Sequence, residues 1–483
     1  MSRYDDRNVL SRRRFLQVAG LGIAGTVAAA CAPKVAPAPA PTPTTAAQPA
    51  APAPQQPAAQ PTTAPTAAPT APPAPAKKVQ VRVQDWGGDW QEVATPQFEA
   101  WMKDNPTVEI IYEPYQDGWQ ERTMAAMVAG TAPEIIHAWG DVFRPFSDRG
   151  QLLNLEDMFQ QTYSAEEQKD FHAYQIKAMI RDGFRWAMPK HVWLGIIYYN
   201  KDMFDEAGQS YPDESWTHDE YSAALEKLTV RQGNQAVRWG GYIPAWGYDR
   251  IVPRIQAWGG EAVDQETYTV CKLGEQPAVD AIEWVRSRMW DTNTVAQQLQ
   301  VEKKSGYDSL IAKVVAMAEE GSSNLLRTAK GFEGNFDIAL LPKGPVRRAA
   351  LGGTNGYAIY KGAVANKTVD AAWSVMQLLV SPDFQIGMVK AVSRTIIPAR
   401  MSAVPKYLQL LKEGNASLAN VNVDVITRGL SMEYAEAIDP QTFKKHAAAA
   451  EIITPALEKL FIVGDAPSTI FAQLKSQIEA TQK

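Results

Sequence analysis

From residue 79 onward the apolar positions of the chain switch repeatedly between two spacings. Val79, Val81 and Val83 alternate with Gln80, Arg82 and Gln84, the period of a half-buried strand, and the chain then turns through Trp86-Gly87-Gly88. Thr95-Pro96 reads as the N-cap and first residue of a helix whose Phe98, Trp101 and Met102 form one apolar stripe, stopped by Asn105-Pro106. A strand at Val108 to Tyr112 follows, then a helix bearing Met124 and Met127 that ends at Gly130, then a short strand from Glu134 to His137. This alternation implies a parallel sheet with helices on its faces, and ligands of such sheets lie beyond the carboxyl ends of the strands. Trp86 and the segment Trp139-Gly140-Asp141 occupy those ends.

The second half of the pattern is less regular. Leu194 to Tyr199 is an apolar, strand-like run closed by Asn200-Lys201-Asp202. Thr217-His218-Asp219-Glu220 is a capping box opening a helix with Tyr221, Ala224, Leu225 and Leu228 on one face. A loop rich in aromatics and glycine, Trp239 to Gly247, precedes helical stretches around Ile251 to Trp258 and Pro277 to Met289. Val314 to Met317 is a short strand running into Ala318-Glu319-Glu320-Gly321, and Phe336 to Leu341 is another, broken by Pro342-Lys343-Gly344-Pro345. A strand at Tyr357 to Tyr360 is entered from Gly352-Gly353-Thr354-Asn355-Gly356. From Val369 the chain is mostly helical, with Ser381-Pro382 starting one helix and Pro467 another that carries Ile470, Leu474 and Ile478. No internal repeat is visible.

Neither period is present before residue 77. Arg12, Arg13 and Arg14 precede Phe15-Leu16 and an apolar, glycine-diluted run from Val18 to Ala30, which ends at Ala28-Ala29-Ala30-Cys31. A charged start, an apolar middle and a small-residue junction form an export signal. The thirteen apolar residues fall short of the roughly 20 that span a bilayer as a helix, so residues 1–30 are expected to be removed. The pattern resembles a twin-arginine signal, and its end resembles a lipobox whose Cys31 would carry a lipid anchor and become the new N-terminus; cleavage without a lipid is the alternative. Residues 31–77 are almost entirely Ala, Pro, Thr and Gln. Proline-rich chain extends ~3.1 Å per residue, so the 45 residues from Ala32 to Ala76 could reach roughly 140 Å as a stalk, or form a disordered tail with no spacing role.

About 400 residues remain from Lys77 to Lys483, beyond the ~250–300 at which a single core stops growing, so two domains are expected. Arg3, Arg7, Arg12, Arg13 and Arg14 against Asp5 and Asp6 leave the first thirty residues at +3 and the rest at −8, which argues against nucleic acid as the partner, since that would call for a basic patch. With Cys31 assigned to the anchor, Cys271 stands alone, so neither a disulfide framework nor a cysteine metal site is expected. The histidines, His137, His172, His191, His218 and His446, have no metal-like spacing, and no cofactor motif occurs. Fourteen tryptophans and seventeen tyrosines exceed what packing requires and suit stacking on sugars or other flat ligands.

Taken in order, these segments resemble the family 1 extracellular solute-binding proteins, receptors of ATP-driven importers for sugars and related solutes. The marks are Ala132-Pro133-Glu134-Ile135-Ile136, Gly150-Gln151-Leu152-Leu153, Ile197-Tyr198-Tyr199-Asn200-Lys201-Asp202-Met203-Phe204, Ser215-Trp216-Thr217, Trp258-Gly259-Gly260, Leu341-Pro342-Lys343-Gly344-Pro345 with Gly352-Gly353, Ala372-Trp373, and Ile397-Pro398-Ala399-Arg400. The resemblance implies an α/β, two-lobe periplasmic-binding-protein-like fold with a hinge and an interlobe ligand cleft. It places residues 78–194 plus 338–392 in an N-lobe and 195–337 plus 393–483 in a C-lobe, with crossings near Leu194 to Ile197 and Ile338 to Pro342. It also implies a monomer, lipid-anchored outside the cytoplasmic membrane, that hands a small solute, foremost a sugar or oligosaccharide, to the membrane permease of an ABC importer by lobe closure, without catalysis, cofactor or metal.

Carried over position by position, the ligand contacts fall on Trp86, Trp139, Asp141, His191, Trp193, Trp246, Gly353 and Thr354, with Glu320 and Arg394 completing the set. A departure is Ser322-Ser323, where sugar-binding members often place a tryptophan after glycine. Core packing is the alternative for each tryptophan, and Trp101, Trp284 and Trp373, on apolar helical stripes, are expected in the core. An exported carbohydrate-active hydrolase would need two carboxylates about its substrate, for which Glu319, Glu320, Asp141 and Asp85 are available. A surface interaction protein is the third class, and failure to bind any small solute would favour it.

Overall fold

Two β-sheets, each flanked by helices, organise the chain. The computed structural model describes residues 78–245, 247–302, 304–350, 355–430 and 442–483, and of Asp141 the backbone alone; all of them fall within one compact unit. The first sheet has the strand order β13-β6-β12-β3-β1-β2, where β1 is Val79–Asp85, β2 Val108–Pro114, β3 Ile135–Ala138, β6 Met188–Val192, β12 Asn355–Ile359 and β13 Ile397–Pro398. Its β1 runs parallel to β2 and β3, whereas β12 is antiparallel to both neighbours. A separate hairpin pairs β4 (Ile180–Arg181) with β5 (Phe184–Arg185). The second sheet has the order β11-β7-β10-β9-β8, built from β7 (Gly195–Asn200), β8 (Val230–Gln232), β9 (Gln235–Tyr242), β10 (Val315–Gly321) and β11 (Phe336–Leu340).

Side-chain alternation sets the cores. Val81 and Val83 are fully buried while the alternating Arg82 and Gln84 are not. In β3, Ile135 packs into one core and Ile136 into another on the opposite face of the same sheet, as successive strand residues must. The second sheet is covered by one large core that takes in its own helices and the carboxyl-terminal ones. The helix His218–Leu228 buries Tyr221, Ala224, Leu225 and Leu228, and its capping box is complete: Glu220 N donates to Thr217 Oγ1 at 3.3 Å and Thr217 N to Glu220 Oε2 at 2.8 Å. Ser381 caps the helix Pro382–Gly387 in the same way, by accepting from Phe384 N.

One helix start differs from expectation. The first helix spans Asp89–Asp104 with Pro96 inside it, and Thr95 Oγ1 donates to Gln91 O at 2.8 Å instead of capping. Asp89 and Glu92 occupy its first turn, where they complement the helix dipole, and burial of Trp90, Ala94 and Phe98 offsets the ~3 kcal/mol that an interior proline costs.

The sheets are joined where the chain passes from β6 to β7 through Trp193-Leu194, and again between Leu340 and Asn355. The expected change of lobe at 338 falls inside β11, whose five residues all pair with β7; Pro342, lacking an N–H, bars any extension of that ladder. The expected change at 393 precedes β13, which pairs with β6 in the first sheet. The chain then makes a third passage, because the helix Val404–Glu413 buries Val404, Tyr407, Leu408 and Leu411 in the core of the second sheet.

Candidate functional site

At one edge of the first sheet four strand ends converge. The parallel β1 and β3 end there, β12 begins beside Ala138, and β6 ends opposite Asn355. The side chains brought together are Asp85, Trp86, His137, Trp139, Lys190, His191 and Tyr357.

Asp85, almost fully buried, holds the group together. Its Oδ1 and Oδ2 lie 2.5 and 2.8 Å from Lys190 Nζ, its Oδ2 accepts from Tyr357 Oη at 2.6 Å, and its Oδ1 accepts from Trp86 N at 2.8 Å. His137 Nδ1 lies 2.9 Å from Asp85 Oδ1, and because an ionised carboxylate only accepts, Nδ1 is the protonated ring nitrogen. Burial would raise the Asp85 carboxyl, but Lys190 and His137 together hold it below the usual carboxylate range. Burial also brings Lys190 down to about 7 against the pull of Asp85. It brings His137 down to about 4, with the Lys190 charge adding to the effect. His191 is driven well below its ordinary value by burial and then by the Lys190 and His137 charges. Both imidazoles are therefore neutral at neutral pH.

This network fixes Trp86. Lys190 Nζ sits 3.9 Å from the Trp86 ring centroid and 3.8 Å from that of Trp90, a cation held between two indoles. His137 packs edge-on to Trp86 at 4.6 Å and His191 is tilted against it at 5.4 Å. Trp86 itself is only half-buried, and the Arg394 guanidinium, on an exposed side chain, lies 5.0 Å from its ring. Trp139, also half-buried, meets Trp119 at 5.7 Å, and Trp119 stacks on Tyr115 at 4.1 Å.

The second sheet presents its strand ends to a pocket lined in part by Gly195, Arg250, Arg254, Glu319, Glu320 and Pro342. Glu319 is tied to Arg254 at 2.5 Å, and Arg254 in turn reaches His218 Nε2 at 3.0 Å. Glu320 accepts from Gly306 N at 2.9 Å; burial raises its carboxyl, with Arg250 opposing. Trp193, on the first passage between sheets, lies against Gly321, where any Cβ would stand 3.0 Å from its ring, and carries the Arg250 guanidinium at 5.1 Å.

Of the residues expected to form a ligand site, Trp86, Trp139, His191 and Arg394 gather at the first sheet and Trp193 and Glu320 at the second. His191 is 2 % exposed and supports Trp86 from behind. Cys31, Trp246, Gly353 and Thr354 lie outside the described residues, as does the Asp141 side chain. Trp373 is buried, and Trp101 and Trp284 pack against the cores as expected. Lys190, Tyr115, Trp119 and Arg250 were not singled out from sequence. Tyr115 and Trp119 follow the end of β2, so the strand-end rule that selects Trp86 also reaches them; nothing in the sequence pairs Lys190 with a residue 105 positions away. Among the described residues no group of three His, Cys, Asp or Glu could hold a metal ion.

Two helix-flanked α/β units, joined by passages between their sheets and displaying strand ends at those passages, define a two-lobe periplasmic-type binding protein. Residues 82–386 match the model of the bacterial extracellular solute-binding protein family, and this chain belongs to that family, which places it outside the cytoplasm. It is 23 % identical over 337 residues to the diacetylchitobiose-binding protein DasA of Streptomyces coelicolor, covering 68 % of this chain and 73 % of DasA. An ABC substrate-binding protein of Listeria monocytogenes in complex with cycloalternan superposes with a TM-score of 0.69 at 16 % identity, covering 84 % of this chain and 98 % of the other. The GacH receptor of Streptomyces glaucescens, a protein solved unliganded and with acarbose, gives 0.64 at 18 % identity, over 84 % and 99 % of the two chains.

Proposed function

We propose that this solute-binding protein captures a carbohydrate between its two lobes, closes on it, and delivers it to the membrane permease of an ABC importer. The observation that carries the reading is Trp86: a half-buried indole at a strand end, locked from behind by Lys190, Trp90, His137 and His191, so that it meets a ligand without further ordering. Pre-set aromatic faces beside hydrogen-bonding groups suit the apolar faces and hydroxyl rims of sugars. The names of the relatives, which bind diacetylchitobiose, cycloalternan or acarbose, agree with it. Trp139, Asp141, Trp193, Trp246, Glu320, Gly353, Thr354 and Arg394 are assigned as further contacts, and His191 as a support. Of the four carboxylates available for hydrolysis, Asp85 is engaged by Lys190 and Glu319 by Arg254, which supports binding over catalysis at those two positions.

Calorimetric titration with a panel of mono- and oligosaccharides tests the assignment. Trp86→Ala should weaken the best saccharide by ~2 kcal/mol or more, about thirty-fold; unchanged affinity would return Trp86 to a packing role. We assign residues 1–30 to a removed export signal of twin-arginine type and Cys31 to a lipid anchor at the head of the stalk. Mass spectrometry of the mature N-terminus checks this, and an N-terminus other than an acylated Cys31 refutes the anchor.

A further inference from the structure

Three guanidinium groups in this protein lie over half-buried aromatic rings near the two sets of strand ends. Arg394 lies 5.0 Å from Trp86, Arg327 4.6 Å from Tyr307 and Arg250 5.1 Å from Trp193. Contacts link them into one rim. Thr395, next to Arg394, accepts from Leu326 N at 3.2 Å through its hydroxyl, and Leu326 precedes Arg327. Tyr307 follows Gly306, whose N–H donates to Glu320 at 2.9 Å, and Glu320 precedes Gly321, the strand's last residue, against which Trp193 packs. The rim therefore runs from the first sheet to the second without a gap in contacts.

A guanidinium stacked on a ring has its face occupied and its edge free. That edge is a planar fork of N–H donors matched to carboxylate and phosphate oxygens. Among the described residues none of the three guanidinium groups donates a hydrogen bond to another side chain or to the backbone. Their ion pairs are long: Asp249 stands 3.5 Å from Arg250 Nε and Asp308 3.9 Å from Arg327, while among the described residues Arg394 has no ion pair within 4.0 Å. Asp89, the acidic residue beside the Arg394 loop, is itself taken by the N–H and hydroxyl of Ser393, both at 2.6 Å.

We infer that the solute is an anionic saccharide, one bearing a carboxylate or a phosphate, whose charged group is taken by the free guanidinium edges along this rim, those of Arg394, Arg327 and Arg250. This rests on the carbohydrate reading above and narrows it. A neutral sugar offers these forks only hydroxyls, whereas an oxyanion accepts the short charge-assisted pairs that a fork is shaped to give.

The test uses the full chain and three matched probes: a neutral disaccharide, the same disaccharide with one ring oxidised to a uronate, and its monophosphate. Calorimetric titration should give one of the two anionic probes an affinity about ten-fold or more above the neutral one, with the advantage shrinking as salt rises from about 0.05 to about 0.5 M. Arg394→Gln, Arg327→Gln and Arg250→Gln should each reduce that ratio, and Arg394→Lys, which keeps charge but loses the fork, should restore it only in part. All three side chains are at least partly exposed, so the variants should fold; unchanged far-ultraviolet circular dichroism checks it. The uronate and phosphate arms separate the two sources of the anion. A neutral probe bound as tightly as both anionic ones, or a ratio indifferent to all three Gln variants, overturns the inference and leaves the carbohydrate reading standing. Failure of every saccharide, neutral or charged, to bind overturns both.

Discussion

At the scale of single residues, the arrangement with the largest energetic stake is the pair Asp85 and Lys190. Both are nearly fully buried, and each is acceptable there only because the other is present, with Tyr357, His137 and the Trp86 N–H completing the shell. Removing one partner strands the other charge. Lys190→Met should cost about 3–5 kcal/mol in chemical denaturation, and adding Asp85→Asn to it should recover a large part, because the double variant buries no net charge. Additive losses in that cycle would show that the two side chains do not depend on one another. Trp86 and Asp85 are legible in the sequence but their pairing with Lys190 is not, since Lys190 looks like an ordinary strand residue until the sheet places it beside Asp85.

At the scale of elements, local chemistry and tertiary packing can be weighed against each other. The helix His218–Leu228 starts where its capping box says it should, because a side chain and a backbone N–H three residues apart satisfy one another without help from the rest of the fold. Thr217→Ala removes one of those bonds and should cost ~1 kcal/mol, read as a lower thermal midpoint; a change below a few tenths would mean that packing alone fixes the start. The helix Asp89–Asp104 shows the opposite case. Thr95-Pro96 has the residues of a helix start, yet the element begins two turns earlier because Trp90 and Ala94 are buried with Phe98 along one face. A local signal lost to a packing requirement that lies outside the local window.

At the scale of the whole molecule, two behaviours follow from burial and connectivity. All five histidines are pushed down by burial, His137, His172 and His446 to about 4, and His191 and His218 well below their ordinary value. The unfolded chain takes up these protons near pH 6.5, whereas folded His137, His172 and His446 take them up only near 4, so protons favour unfolding throughout that window. Stability should therefore fall from pH 6.5 to 4 by about 1 kcal/mol per pH unit for each histidine that stays neutral. His172→Gln should flatten the slope measured by thermal unfolding, and an identical slope would remove His172 from the account. The second behaviour is closure. Cysteines placed at Val128 and Leu299, 74 % and 60 % exposed in the first and second α/β units, can carry spin labels, because the native Cys271 is buried. Saturating ligand should shorten the label distance by several ångströms, and an unchanged distance would describe a rigid pocket.

By itself the sequence determined whatever depends on neighbours along the chain. The period of Val81 and Val83, the caps at Thr217 and Ser381, the helix end at Gly130 and the alternation of strands and helices each rest on a few consecutive residues, and together they give the α/β class, while the two-lobe organisation came from the family resemblance. Strand ends were legible for the same reason, and with them Trp86 and Trp139. Only the tertiary structure decided which distant groups meet there: Lys190 beneath Trp86, Arg394 over it, Arg250 on Trp193, Arg254 on Glu319. It also decided that the third passage between the sheets comes after β13 and not at 393, since Ile397 still pairs with Val192 across 205 positions of sequence. Side-chain chemistry and spacing act within a turn or a strand, whereas charge pairing and ring contact act through space, and the strand order that closes those distances is written in no single stretch of the chain.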